Sequence, residues 1–337
     1  MENLTALRKF GKITEQKIEN WYGKDVYDSF QVAATGLTVP VPIMGVPASL
    51  FNGGIVPRLA GGAGFSSLSD LINEATVNGK AQVRPYNKTG VAAPAATASQ
   101  SLWGQGALPA AGANAAAAPG GTNPTNSTTG GLGQASASSG DTLHLTTWTG
   151  ASTTAGSLML YDYVFGVNIN HATTSNSVTG VPTRYQDTTA AGNFISGRVT
   201  TVLNSTASNV TVTYMDENGN TAEAAAAIAI RVSAAVQTTP LTQPVWSIPL
   251  NSPDYGVRKI TSIALSAAQT GNVDWFIGKP LAILPQPVAN VAFVLDGINS
   301  AFNLVRVQDT ACLALMEFFK TVTTATTISG MIQLVSG

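Results

Sequence analysis

Two histidines, one cysteine and a thin scatter of carboxylates are the residues of this chain whose types could do chemistry. His144 lies in the alternating run "TLHLTTWTG", and His171 follows "YDYVFGVNIN" just before a polar loop. A zinc or iron centre needs a third ligand. No Cys or carboxylate stands at the spacing such sites use, so both read as satisfied or exposed histidines. Cys312 sits in "DTACLALMEFF", an apolar setting that points to a small buried hydrophobe instead of a reactive thiol. A single Cys also excludes an intrachain disulfide framework. "DENGN" places Asp216, Asn218 and Asn220 like the opening of a calcium loop. The sixth position is Thr221 instead of Gly and the twelfth is Ala227 instead of Glu, which favours a plain turn. "GGAGFSS" sets glycines before a helix start but has no Lys in the Walker position and no acidic residue for a ribose, so nucleotide binding is not expected. No G-x-S-x-G occurs, and Asp141, Asp162, Asp187 and Asp254 stand apart in turn-like company. The sequons at Asn204 and Asn209 matter only in an exported chain. The expectation is no catalytic residue, no cofactor and no metal.

The frame that would hold such groups is poor in charge. Of 337 residues, 10% are charged, against about 25% in an ordinary soluble domain. Much of the surface must therefore be Ser, Thr, Asn, Gln, Gly and Ala, which is sticky to neighbours. The formal charge is −1 and no basic run occurs, so the Lys/Arg footprint needed for phosphate is missing and nucleic acid is not an expected partner. The N-terminus has no apolar core followed by a small-residue cleavage site, so no secretory leader is expected. No run reaches the ~18 apolar residues of a spanning helix, so no membrane partner is expected either.

Four segments follow along the chain. Residues 1–30 hold five Lys/Arg and five Asp/Glu, with Leu4, Leu7, Phe10, Ile13, Ile18, Trp21 and Tyr22 near helical spacing: a short amphipathic helix or arm. Residues 31–105 are extended and rich in Pro and Gly. "FQVAATGLTVPVPIMGVPASLF" is interrupted by Pro40, Pro42 and Pro47, each of which removes a ladder donor. A short helix capped by Ser66 or Ser67 then carries Leu68, Leu71, Ile72 and Ala75 and stops at Asn78-Gly79. Residues 106–140 contain no charge and almost nothing large. Such side chains cannot offset an ordering cost of roughly 1–2 kcal/mol per residue, so the segment should be mobile unless another surface, most plausibly another protein chain, clamps it.

From 141 to 337 the pattern is all-β. "SGRVTTVLN" and "NVTVTYM" are strands, and Asn218-Gly219 between alternating runs marks a hairpin. A second hairpin is expected to turn at Thr270-Gly271-Asn272, and "CLALMEFFKTVT" and "TTISGMIQLVSG" close the chain. "VANVAFVLDGINSAF" reads as a helix or a crossing loop. The expected fold is mainly β: an antiparallel sandwich or barrel-like C-terminal domain behind an extended, loop-rich N-terminal half and a short N-terminal helix.

Four stretches over residues 157–337 carry a resemblance: Tyr161-Asp162, Pro182 to Asp187, the Asn218-Gly219 turn, and Asp309 through Leu315 leading to a terminal strand ending in Gly. In these the chain resembles the C-terminal half of structural proteins in virions of tailed bacteriophages. Thr183 interrupts the Pro-Arg-Tyr run of that pattern, and the first 150 residues share none of it. The resemblance implies a non-enzymatic virion protein, a capsid cement, decoration or minor head component assembled in the host cytoplasm. It implies contacts with the major capsid protein or other virion proteins, and a homo-oligomer such as a trimer. Trp21, Tyr22, Phe30, Val39, Val41, Ile43 and Phe51 are the expected interface residues. A tail or neck station in the same particle remains open, as does an adhesin using Trp103, Trp148 and Trp246 as sugar platforms.

Overall fold

The computed structural model describes residues 64–90, 99–114, 119–138, 140–204, 206–221, 223–230, 246–298, 304–318 and 325–337. The N-terminal arm, the proline-interrupted run and all seven expected interface residues lie outside them.

Among the described residues one α-helix, α1 (Leu68–Thr76), precedes the strands. Ser67 caps it by accepting from the Asp70 N–H, and Gly79, at φ +67°, makes the left-handed turn out of it. Leu71 packs on Phe65 and Val335 with Ala75 beside them, whereas Leu68 and Ile72 face outward. The strands run β1 (Ala81–Gly90), β2 (Gln100–Ser101), β3 (Ala107–Leu108), β4 (Leu143–Ser152), β5 (Gly156–Asn170), β6 (Ser175–Ser177), β7 (Phe194–Thr201), β8 (Ser208–Asp216) and β9 (Glu223–Ala224). They continue as β10 (Ile228–Ile230), β11 (Trp246–Ser247), β12 (Val257–Leu265), β13 (Asn272–Gln286), β14 (Phe293–Asp296), β15 (Val305–Val307), β16 (Leu313–Phe318) and β17 (Thr326–Ser336).

The fold is mainly β, and the described strands form three antiparallel sheets. A terminal sheet has the order β14-β4-β17-β1-β3 with β15 also on β4, a central sheet β11-β7-β13-β5-β16-β2, and a small sheet β10-β8-β12-β6 with β9 on β8. β1 pairs with β17 along its whole length, from Ala81 opposite Val335 to Gly90 opposite Thr326, so residues well before 141 belong to the same sheet as the C-terminus.

The long strands β5 and β13 are the spine. Their pairing skips Val164, because Ile277 faces Phe165 while the next residue, Gly278, faces Tyr163. This bulge resets the period of two, so Phe165, Val167 and Ile169 stay on the side of Leu158 and Leu160. That side is shared between two cores. Leu158, Leu160, Leu313 and Leu315 pack on Trp148, Ile328, Ile332 and Leu334 of the terminal sheet. Phe165, Val167, Trp275 and Ile277 pack on Val210, Val212, Ile260 and Ile263 of the small sheet, giving a sandwich.

Two strand-level expectations are corrected. Asn218-Gly219 does turn a hairpin, with Thr213 and Tyr214 opposite Ala224 and Glu223. The second expected hairpin is not one: β12 pairs with β8 and β6 in the small sheet, and β13 with β5 and β7 in the central sheet. Gly271, at φ +98°, reverses the chain across the sandwich, since a turn signal reports a reversal and not the sheet that receives it. The described part of "VANVAFVLDGINSAF", residues 288–298, holds neither the helix nor the bare loop expected; Phe293–Asp296 is edge strand β14 on β4.

Candidate functional site

The other side of the central sheet carries large aromatic side chains. Met159, Tyr161 and Tyr163 of β5, Phe276 of β13, Ala314 and Met316 of β16, Cys312 and Trp103 form one aromatic cluster. Tyr163 stacks on Trp103 at 4.6 Å and on Phe276 at 4.9 Å between centroids. Beyond them Arg198 of β7 pairs with Asp274 of β13, and the Asp274 carboxylate also accepts from Asn168 at 2.6 Å.

The uncharged segment lies against Trp103 and along β5 and β16. Asn114 donates to the Tyr163 hydroxyl at 2.8 Å, and Thr122 and Gly166 exchange backbone bonds of 2.7 and 3.0 Å. Leu132 N–H donates to Leu313 at 3.0 Å, and the Gln134 amide donates to the Ala311 carbonyl. The clamp expected from another chain is therefore supplied by the chain's own sheet, over residues 106–114 and 119–138. Small residues are required there by contact. A Cβ on Gly112 would fall inside the Trp103 ring and against the Thr129 carbonyl, and one on Gly121, at φ +57°, would meet the Phe165 ring.

On the opposite side, between the two cores, lies an ionic node. Asp162 is fully buried and accepts two bonds from Arg184, from Nε at 2.9 Å and Nη2 at 2.8 Å, and a third from the Cys312 N–H at 2.8 Å. Arg184 also donates to the Pro124 and Tyr163 carbonyls. The Tyr-Asp, Pro-to-Asp and Asp-to-Leu stretches singled out in the sequence thus meet at one carboxylate.

Each candidate for chemistry is held in a structural role. Cys312 is buried, and burial beside Asp162 pushes its thiol up, away from thiolate. His171 accepts from Trp275 Nε1 at 3.3 Å and faces Gln269 at 3.4 Å, and burial lowers it to about 4, so it is neutral. His144, in β4, packs its ring on Phe65 at 5.1 Å and is lowered by burial. Asp216 accepts from the Asn218 and Asn220 N–H groups and from the Asn220 amide, which makes "DENGN" the turn expected. Oxygens of Asp216, Glu217 and Asp254 come within 4.8 Å of one another. Glu217 already accepts from the Tyr255 and Gly256 N–H groups, and Asp254 from the Tyr214 hydroxyl. These bonds tie the β8 turn to the loop before β12.

Sequence reasoning missed the buried cations Lys88 and Arg198. Lys88 of β1 donates to the Gln105 and Pro109 carbonyls at 2.8 and 2.6 Å, and burial lowers it to about 8. Its position in an alternating run was the available signal. Trp103 and Trp148 are 1% and 0% exposed, which removes both as sugar platforms; the Trp246 side chain lies outside the described residues.

No family model matches this chain, and no curated protein matches it. Among solved structures it is similar to a chain of infectious bursal disease virus, Gx strain, at 11% identity over 77% of this chain and 82% of that one, with a TM-score of 0.17. The VP2 subviral particle of the same virus gives 12% identity, 76% and 80% coverage and a TM-score of 0.16. At such scores the likeness to these viral proteins carries no argument about fold or function.

Proposed function

We propose that this chain is a non-enzymatic structural protein of a virion, a cement, decoration or minor head protein that stabilises an assembled shell. The observation that carries the reading is the Asp162 node. Three stretches that resemble tailed-phage structural proteins converge on one buried, fully bonded carboxylate, so what the chain shares with those proteins is architecture and not a reaction centre. The reactive side chains are consumed by packing, and the surface left is largely uncharged. Stabilisation follows from mass action: a protein that binds only the assembled shell lowers the free energy of that state by an amount that grows with occupancy and affinity. Repeated interfaces of about 1,600 Å² accumulate over a lattice.

In this reading Trp21, Tyr22, Phe30, Val39, Val41, Ile43 and Phe51 contact the major capsid protein or other virion proteins, and the chain forms a homo-oligomer such as a trimer. The test is to separate heads from tails of purified particles and identify the chain by mass. Recovery with heads, and loss of shell stability when the chain is withheld, is expected. Recovery with tails only moves the protein to a tail or neck station, and absence from particles overturns the reading.

A further inference from the structure

Strand β1 turns one cation inward without a counter-ion. Val83, Pro85 and Asn87 are exposed, and Arg84 alternates with them on the side that carries buried Tyr86 and Lys88. Its register partner is Ile332 of the terminal-sheet core. Lys88 is met by two carbonyls, whereas the Arg84 guanidinium makes one bond, from Nη2 to Gln82 Oε1 at 3.2 Å. Its Nε is buried with no partner, and among the described residues no carboxylate pairs with it.

Arg84 lines a hollow of about 420 Å³ between β1, Pro109 and the loop 126–135, and it is the single charged residue of the lining. Ligand pockets begin at about 300 Å³. The loop is braced from within. Gln82 Oε1 accepts from the Ala135 N–H at 2.8 Å and Gln82 Nε2 donates to the Ala135 carbonyl at 3.0 Å. The Asn126 amide donates to the Gln134 carbonyl at 3.1 Å. Ser127 and Thr129 bring hydroxyls to the exposed rim. Gln134 is 2% exposed; its amide N–H donates to the Ala311 carbonyl, which leaves its Oε1 buried with no partner.

We propose that this hollow binds an acidic sugar, a hydroxylated ring bearing a carboxylate, as in a uronic acid. The unpaired guanidinium calls for a planar anion, and a carboxylate matches its fork of N–H donors. The rest of the lining calls for a neutral ligand that both donates and accepts: Gln134 Oε1 needs a donor, and the Ser127 and Thr129 hydroxyls serve in either sense. Ring hydroxyls supply both. An ammonium finds no carboxylate in the lining, a polyphosphate finds one cation where it needs several, and a hydrocarbon finds little beyond Pro109 and two alanines. The inference goes beyond the shell reading and does not depend on it.

A ligand-observed NMR titration of the full-length protein at neutral pH tests the site, with sodium glucuronate as the probe and glucose, acetate and inorganic phosphate as comparisons. Glucuronate should bind with a Kd of about 1 mM or tighter. Glucose, acetate and phosphate should each bind at least ~10-fold more weakly, because none offers both the carboxylate and the ring hydroxyls. Arg84→Gln should weaken glucuronate at least ~10-fold, and Arg84→Lys at least ~3-fold, since an ammonium keeps the charge and loses the fork. Arg306→Gln, at an exposed arginine outside the lining, should leave binding unchanged. If Arg84→Gln loses its native circular dichroism, Arg84→Lys decides. Glucuronate that does not bind at ~20 mM, acetate or phosphate that binds as well as glucuronate, or binding indifferent to the Arg84 changes overturns the inference. None of these results bears on whether the chain is recovered in particles.

Discussion

At the scale of single residues the molecule spends its few ions inside. Asp162 and Arg184 are both buried, so each depends on the other for compensation. Asp162→Asn leaves the guanidinium unpaired and should cost about 3–5 kcal/mol in urea unfolding, while the paired change Asp162→Leu with Arg184→Met should recover much of it. Buried bases contribute to the pH response. His171 titrates near 4 when folded and near 6.5 when unfolded, so the unfolded chain takes up the proton first as pH falls. Its contribution is complete above pH 6.5 and is lost toward pH 4, up to about 3 kcal/mol, and His171→Gln should flatten that limb of the stability profile. Lys88 is also depressed, to about 8 from 10.5, so the unfolded chain again binds more protons between those values. Lys88 should therefore contribute a rise in stability from pH 8 toward 10.5, by up to about 3 kcal/mol, and Lys88→Met should remove that share. The neutral amine keeps two N–H groups for the Gln105 and Pro109 carbonyls.

At the scale of elements, the described parts of the uncharged segment, 106–114 and 119–138, are a lid made of backbone. Its hydrogen bonds to Gly166, Leu313 and Ala311 replace a strand's ladder, and its lack of side chains lets it lie against Trp103 and Tyr163. Gly112→Val should lift it, costing about 2–4 kcal/mol by overpacking. Limited proteolysis checks this: the wild-type segment should resist cleavage under native conditions, and the variant should be cut between 106 and 138. The composition of this stretch was legible as inert, but its partner was not. Small residues mark a close approach without naming the surface approached, and here that surface is assembled from β5, the start of β16, Gln82 of β1 and Trp103.

At the scale of the whole molecule, low ionisation sets how the protein meets others. With 10% charged residues and several of them paired inside, few ions remain to steer or screen an encounter. Binding to shells, measured by co-sedimentation, should change less than about threefold between low and high salt, because apolar and hydrogen-bonded contacts are not screened by ions. A steep loss with added salt would instead assign the contact to charged groups outside the described residues.

The mainly β class, the 218–219 turn, a helix cap at Ser66 or Ser67 and the burial of Cys312 could all be read from local pattern, because period, turn chemistry and apolar setting are properties of neighbours in sequence. The meeting of Asp162, Arg184 and Cys312, the bulge at Val164, the separation of β12 from β13 and the folding of the uncharged lid onto its own sheet required the tertiary structure. Each depends on which distant strands share a face, and strand alternation is the same for every partner a strand might take.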